Sequence, residues 1–256
     1  MQVRNVPLTG PRYWWAISAA SIFGVNLGDF IARNLHLGHW QALPALLLLF
    51  VGVLLAERRS KSGAEVYYWL AVLIGRTAAT NLADLATHDY KLQYDMVTLA
   101  LLPALIAVVA FGKAVPPTSA GQAADRSAGG RSVANVAYWL ALFISETIGT
   151  VDGDALPDLF DLSQREEFLL LGFLMVGAFA LRTDRRFQTP AFYWVTILVI
   201  ATGGLAVGDY IAHSGRLWLS TLLTSLFFVA VLAFGKKERL PEANPAPAAA
   251  PPARQA

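Results

Sequence analysis

The chain has 256 residues, of which 55% are hydrophobic and only 15% charged, with a mean hydropathy of +0.48. A water-soluble domain carries roughly a quarter of its residues as charges, so this composition is that of a membrane protein. A net charge of +2 provides no basic surface for nucleic acid, and the absence of cysteine excludes disulfides, thiolate metal centres and a cysteine nucleophile.

The first twelve residues are polar and lead directly into an apolar run. No small-residue cleavage site follows a short apolar core, so this run is expected to be a retained helix, not a removed signal. It opens on Tyr13-Trp14, and the same pair opens further apolar runs at Tyr68-Trp69, Tyr138-Trp139 and Tyr193-Trp194. Fifteen residues after each tryptophan stands an aspartate: Asp29, Asp84, Asp154 and Asp209. A small residue precedes each one (Gly28, Ala83, Gly153, Gly208), and another stands four before that (Gly24, Ala79, Gly149, Gly204). Agreement in register across four segments defines an internal repeat.

Each unit continues into a second apolar run, at 40–56, 94–111, 168–181 and 217–234. These runs approach the roughly 20 residues that cross a bilayer as helix. The expected fold is all-α: eight transmembrane helices from four parallel two-helix repeats, in two pseudo-symmetric halves. An even number of crossings per unit makes the repeats parallel, related by an axis along the membrane normal. The first half covers 1–111, with repeats at 12–58 and 67–111; the second covers 136–237, with repeats at 137–182 and 192–237. Between them, 112–135 is rich in Ala, Gly, Ser and Pro and reads as a flexible cytoplasmic linker. The Pro/Ala-rich tail, 238–256, reads as disordered.

Fifteen Lys and Arg residues lie at the termini and between units, against four in the loops inside units. By the positive-inside rule both termini are cytoplasmic. The Tyr-Trp pairs then fall at the inner interface, where amphipathic rings are favoured as anchors. The small residues four apart let backbones approach closely, so the four first helices are expected to form an inner bundle, with the second helices facing lipid. Fifteen residues correspond to about 22 Å of helix rise, which places the aspartates in the outer part of the membrane.

Seven residues before each aspartate, on the same helix face, stand Ile22, Thr77, Thr147 and Thr202; three before stand Asn26, Asn81, Val151 and Ala206. A polar stripe therefore runs down these helices, with Asn81 and Thr147 as candidate neutral oxygen ligands. One turn beyond the aspartates, the second and fourth units share Asp84-x-x-x-His88 and Asp209-x-x-x-His213. Carboxylate and imidazole suit Mn, Fe, Ni or Zn, and a two-fold relation between the halves would bring both pairs to one metal site. The alternative is that both histidines are exposed at helix ends. Arg76 and Glu146 each follow their tryptophan by seven residues, equal in depth, which suggests a mutual ion pair. Asp152 adds a carboxylate in the third unit, whose helix is expected to be interrupted near Pro157.

Four unpartnered carboxylates in hydrocarbon would cost on the order of 10 kcal/mol. They must be protonated, hydrated, paired or neutralised by a cation. The expectation is a small secondary transporter of a cation, a divalent metal coupled to protons being the candidate. Its ion- and proton-handling set is Asp29, Asp84, Asp154, Asp209, Asn26, Asn81, Thr77, Thr147, Thr202, Glu146, Arg76 and Asp152. The alternative is a membrane scaffold or sensor in which the repeated Asp and Gly positions are structural. No P-loop, Gly-x-Ser-x-Gly or His-Glu-x-x-His pattern occurs, so neither ATP-driven transport nor an enzyme is expected. The expected partners are the lipid bilayer and a small cation or proton, with no cofactor beyond a divalent metal ion; assembly into a homo-oligomer is left open.

The Tyr-Trp opening, the Thr and Gly along the helix and the Gly-Asp at its end, four times over with two crossings each, resemble a family of bacterial membrane proteins. It is built from four copies of the repeat called domain of unknown function 347. The resemblance covers about residues 12–237, with departures at Ala83 and Ile22. It implies the same fold and a place in the bacterial inner (cytoplasmic) membrane, and it supplies no substrate.

Overall fold

The computed structural model describes residues 6–60, 65–114, 116–117, 134–182 and 184–237. The tail and most of the expected linker lie outside the described residues. The structure is all-helical, with no strand among the described residues. Among the described residues eight long helices follow one another: α1 (Pro11–Asp29), α2 (Gly38–Arg59), α3 (Val66–Asp84), α4 (Tyr94–Phe111), α5 (Val136–Phe160), α6 (Gln164–Leu181), α7 (Pro190–Ser214) and α8 (Leu217–Phe234).

Among the described residues five segments are long and apolar enough to cross a membrane, namely Pro11–Asn34, α2, α4, α7 and α8, as in a multi-pass membrane protein. The other three are less apolar and include Arg76 and Asp84 in α3, Glu146, Asp152, Asp154 and Asp158 in α5, and Arg165, Glu166 and Glu167 in the first turn of α6. Most of these charges in α3 and α5 face other helices, as shown below.

Helices α1, α3, α5 and α7 pack in a closed ring, each against its two neighbours. Their contacts run through the small residues read from the sequence. A Cβ on Gly149 of α5 would stand 2.3 Å from Ala201 Cβ of α7, and one on Gly204 of α7 would stand 2.3 Å from Ser21 Oγ of α1. Gly24 of α1 makes room for the stem of Arg76 on α3. Around the ring, each even-numbered helix packs chiefly on the first helix of the following unit: α2 on α3, α4 on α5, α6 on α7, and α8 back onto α1. The outer helices expose Leu48, Leu99, Phe173 and Leu226, as a lipid-facing surface requires.

Two boundaries differ from expectation. The third outer helix starts earlier than its apolar run, at Gln164, because Ser163 caps it: the Ser163 hydroxyl accepts from Glu166 N–H while the Glu166 carboxylate accepts from Ser163 N–H. The expected interruption of α5 near Pro157 is also absent. α5 runs unbroken through Pro157 for 25 residues and ends on Asp161 in the left-handed region (φ 51°). Irregularity appears instead after α1 and α3, where Phe30–Asn34 and Leu85–Asp89 form single π-helical turns immediately behind Asp29 and Asp84. Turns of this kind are frequent at functional sites. His36 and Lys91, at corresponding positions beyond them, also adopt positive φ (55° and 57°).

Candidate cation site and the polar axis of the bundle

Three polar layers follow one another along the centre of the inner ring. The first is made by the tyrosines. The hydroxyls of Tyr13, Tyr68, Tyr138 and Tyr193 form a closed hydrogen-bonded square, with successive O···O distances of 2.9, 2.6, 3.0 and 2.6 Å and one diagonal of 3.4 Å. All four side chains are at most 1% exposed. Each tyrosine also packs edge-on against its own tryptophan and tilted against one from the adjacent helix: Tyr13 on Trp69, Tyr68 on Trp139, Tyr138 on Trp194, Tyr193 on Trp14. These pairs are therefore not lipid-facing anchors. The hydroxyls satisfy one another, which removes the reason for an amphipathic ring to seek the interface. Trp15, 45% exposed, is the residue turned outward.

The second layer is Arg76. It is 1% exposed and lies 3.1 Å from Glu146 Oε2. This contact lacks hydrogen-bond geometry; the directed bonds go to the backbone and a hydroxyl. Arg76 donates to the carbonyls of Glu146 (2.7 Å), Ala201 (2.9 Å) and Ser21 (3.4 Å) and to Thr150 Oγ1 (3.0 Å). One guanidinium on α3 thus touches α1, α5 and α7.

The third layer holds the aspartates. The four ends of the inner ring bring Asp29, Asp84, Asp154 and Asp209 close enough that every pair interacts electrostatically. Asp29 and Asp84 are buried. The ligand atoms of Asp84, His88 and Asp154 all lie within 4.8 Å of one another. His39, at the start of α2, also reaches Asp84: its Nε2 is 3.5 Å from Asp84 Oδ2 and its Nδ1 3.2 Å from Asp89 Oδ2. Donors around a tetrahedral metal at about 2.1 Å stand roughly 3.4 Å apart, so donors as far as 4.8 Å from one another would have to close by up to about 1.4 Å to share an ion. Asp29 is met by Arg33, one turn on, at 3.4 Å.

Several buried polar atoms near this end have no hydrogen-bond partner: Asp154 Oδ2, both amide atoms of Asn26, and Asn81 Oδ1. Unpaired buried polar groups are costly. They are the groups that water or an ion would satisfy.

Not every residue in the expected set reaches the axis. Asp209 and His213 are not part of the Asp84 corner, and His213 is exposed. In a closed ring of four, α3 and α7 are diagonal and α3 and α5 adjacent, so the partner of Asp84 comes from the third unit, not the fourth. Asp152 turns away, its Oδ1 accepting a 2.6 Å hydrogen bond from Thr98 of α4. Thr77, Thr147 and Thr202 each donate to the carbonyl one turn back in their own helix, which leaves their hydroxyls only acceptor capacity for a ligand, and Asn81 donates likewise to the Thr77 carbonyl while its Oδ1 has no partner. Two residues were not foreseen. His39 has no repeat partner, and the buried Glu167 of α6, whose charge reaches Asp154 and Asp209, sits in the charged first turn of a helix where a solvated face is the ordinary reading.

No curated protein and no solved structure matches the chain. Residues 12–62 match the family described as Repeat of Unknown Function (DUF347). That match supports the kinship over one copy of the repeat, the segment that carries Tyr13, Trp14 and Asp29.

Proposed function

We propose that this protein is a small secondary transporter of a divalent metal cation, coupled to protons, with all eight long helices crossing the membrane as four two-helix units about a common axis. In this reading both termini are cytoplasmic, the tyrosine square closes the cytoplasmic end, and the ion is taken up at the outer end by Asp84, His88, Asp154 and His39. The single observation that carries it is that ligand atoms of the buried Asp84, the half-buried Asp154 and the exposed His88 lie within 4.8 Å of one another, with His39 3.5 Å from Asp84 and an Asp154 oxygen that has no partner. Mixed nitrogen and oxygen donors of this kind suit Zn, Mn, Fe or Ni better than Mg or Ca. Asp29, Asp209 and Glu167 surround the corner with further negative charge and serve as proton acceptors when the ion leaves. Arg76 lies below the site on the axis, and its release from the carbonyls of Ser21 on α1 and Ala201 on α7 is the step that opens the way.

The test is metal-ion flux into proteoliposomes. The reading expects saturable uptake that is lost in Asp84→Asn and strongly reduced in Asp209→Asn; intact flux in both variants contradicts it.

A second reading is a membrane scaffold or metal sensor. What favours it is that Arg76 is bonded to three neighbouring helices and seals the axis. A sensor would bind the metal at the same corner and show no flux.

A further inference from the structure

A cleft of about 1170 Å³ lies on the flank of the bundle, between α4, α5, α6 and α7. That is slightly above the range of about 300–1,000 Å³ usual for small-molecule sites. Its walls include Leu99, Leu159 and Leu174, which are themselves exposed on the outer surface, so the cleft opens sideways. A ligand dissolved in the bilayer reaches it without passing through water.

The polar groups of the lining are unequal in sign. Asp95 and Asp158 are exposed, while Asp152 is half-buried between α5 and α4 with its Oδ1 held by the Thr98 hydroxyl. Lys91 is the one cation among the described lining residues, and it is exposed. Tyr94 adds an aromatic ring. Three carboxylates and a ring in a leucine wall attract positive charge and repel a phosphate or sulfonate.

We propose that this cleft binds a lipophilic organic cation, one whose charge is alkylated or delocalised and whose bulk is apolar. The site goes beyond the metal reading: it shares α5 with the axial corner but none of that corner's ligating residues.

The experiment is equilibrium binding of tetraphenylphosphonium to the full-length protein in lipid nanodiscs, with tetraphenylborate as a probe of the same shape and opposite charge. Saturable binding of the cation is expected, with the anion weaker by about tenfold or more. Asp152→Asn is expected to weaken the cation by about tenfold, and Leu174→Trp, which fills the cleft from α6 without touching a buried polar group, to abolish it. Should Asp152→Asn fail to fold, Asp158→Asn at the exposed rim takes its place, with a weakening of roughly threefold. Asp84→Asn should leave binding unchanged. The proposal is overturned by no saturable binding above empty nanodiscs, by equal binding of the two probes, or by full affinity in Leu174→Trp. A co-purifying phospholipid that the cation does not displace, or loss of binding in Asp84→Asn, overturns it equally. Failure of the metal-flux assay leaves this result untouched.

Discussion

Arg76 is bound to Glu146 twice: its Nη1 is 3.1 Å from the Glu146 carboxylate and 2.7 Å from the carbonyl of the same residue. The guanidinium is therefore held by charge and by backbone together, and three further acceptors come from α1, α5 and α7. A charge so placed fixes the relative heights of four helices.

Removing either partner of a buried pair leaves the other uncompensated, at a cost of about 3–5 kcal/mol. Arg76→Leu is expected to cost that amount, since it strands Glu146 and several carbonyls. Glu146→Gln is expected to cost less, about 1–3 kcal/mol, because the backbone acceptors of Arg76 remain. Unfolding in detergent checks the order; equal losses would show that the carboxylate alone matters.

The tyrosine square predicts non-additivity. One Tyr68→Phe removes two links and opens the ring, so that the hydroxyls of Tyr13 and Tyr138 each lose one buried partner while keeping Tyr193, costing about 1–3 kcal/mol. Replacing all four by Phe removes every hydroxyl together and leaves none stranded, so its cost should fall well below four times the single value. Denaturation of the four single variants and the quadruple variant measures this directly.

Glycine tolerance should follow the helix contacts. Gly149→Ala drives a methyl into Ala201, with backbone atoms 2.9 Å away, and is expected to destabilise by roughly 1–3 kcal/mol. Gly177 of α6 has open space around it, so Gly177→Ala should be neutral or slightly stabilising through helix propensity. Thermal unfolding of the two variants side by side decides it.

Glu65, between α2 and α3, predicts a pH dependence. Burial alone would raise its pKa, but hydrogen bonds from Trp69 and Arg12, and the ammonium of Lys237 at 3.2 Å, hold it below the ordinary value. A carboxyl with a lower pKa when folded stabilises above its unfolded pKa of about 4.3, and that contribution is lost as pH falls through the folded value. Wild type should therefore unfold at a higher temperature than Glu65→Gln at neutral pH, with the gap closing as pH falls below the unfolded value.

Much of the helical plan was legible because tryptophan, small residue and aspartate keep one spacing, and because 3.6-residue periodicity then fixes which groups share a face. The stripes of Gly and Ala announced which helices pack together, and the common depth of Arg76 and Glu146 announced their contact. Ring order was not legible. Spacing cannot distinguish an adjacent from a diagonal neighbour, so it grouped Asp84 with Asp209 and His213 and did not show that Asp154 stands beside it. The tyrosines were misread for a related reason: a hydroxyl that could find water at the interface finds three other hydroxyls instead, and only the closed ring supplies them. His39 lies in the first unit but has no histidine counterpart in the others, and it reaches Asp84 from a separate helix.

The account rests most heavily on the corner formed by Asp84, His88, Asp154 and His39, and calorimetric titration of the purified full-length protein with Zn, Mn and Mg ions tests it most directly. Saturable binding of Zn or Mn near one ion per chain, weak or no response to Mg, and loss of binding in Asp84→Asn and His39→Ala are the predicted results. A flat titration with all three metals, or undiminished affinity in both variants, would contradict it.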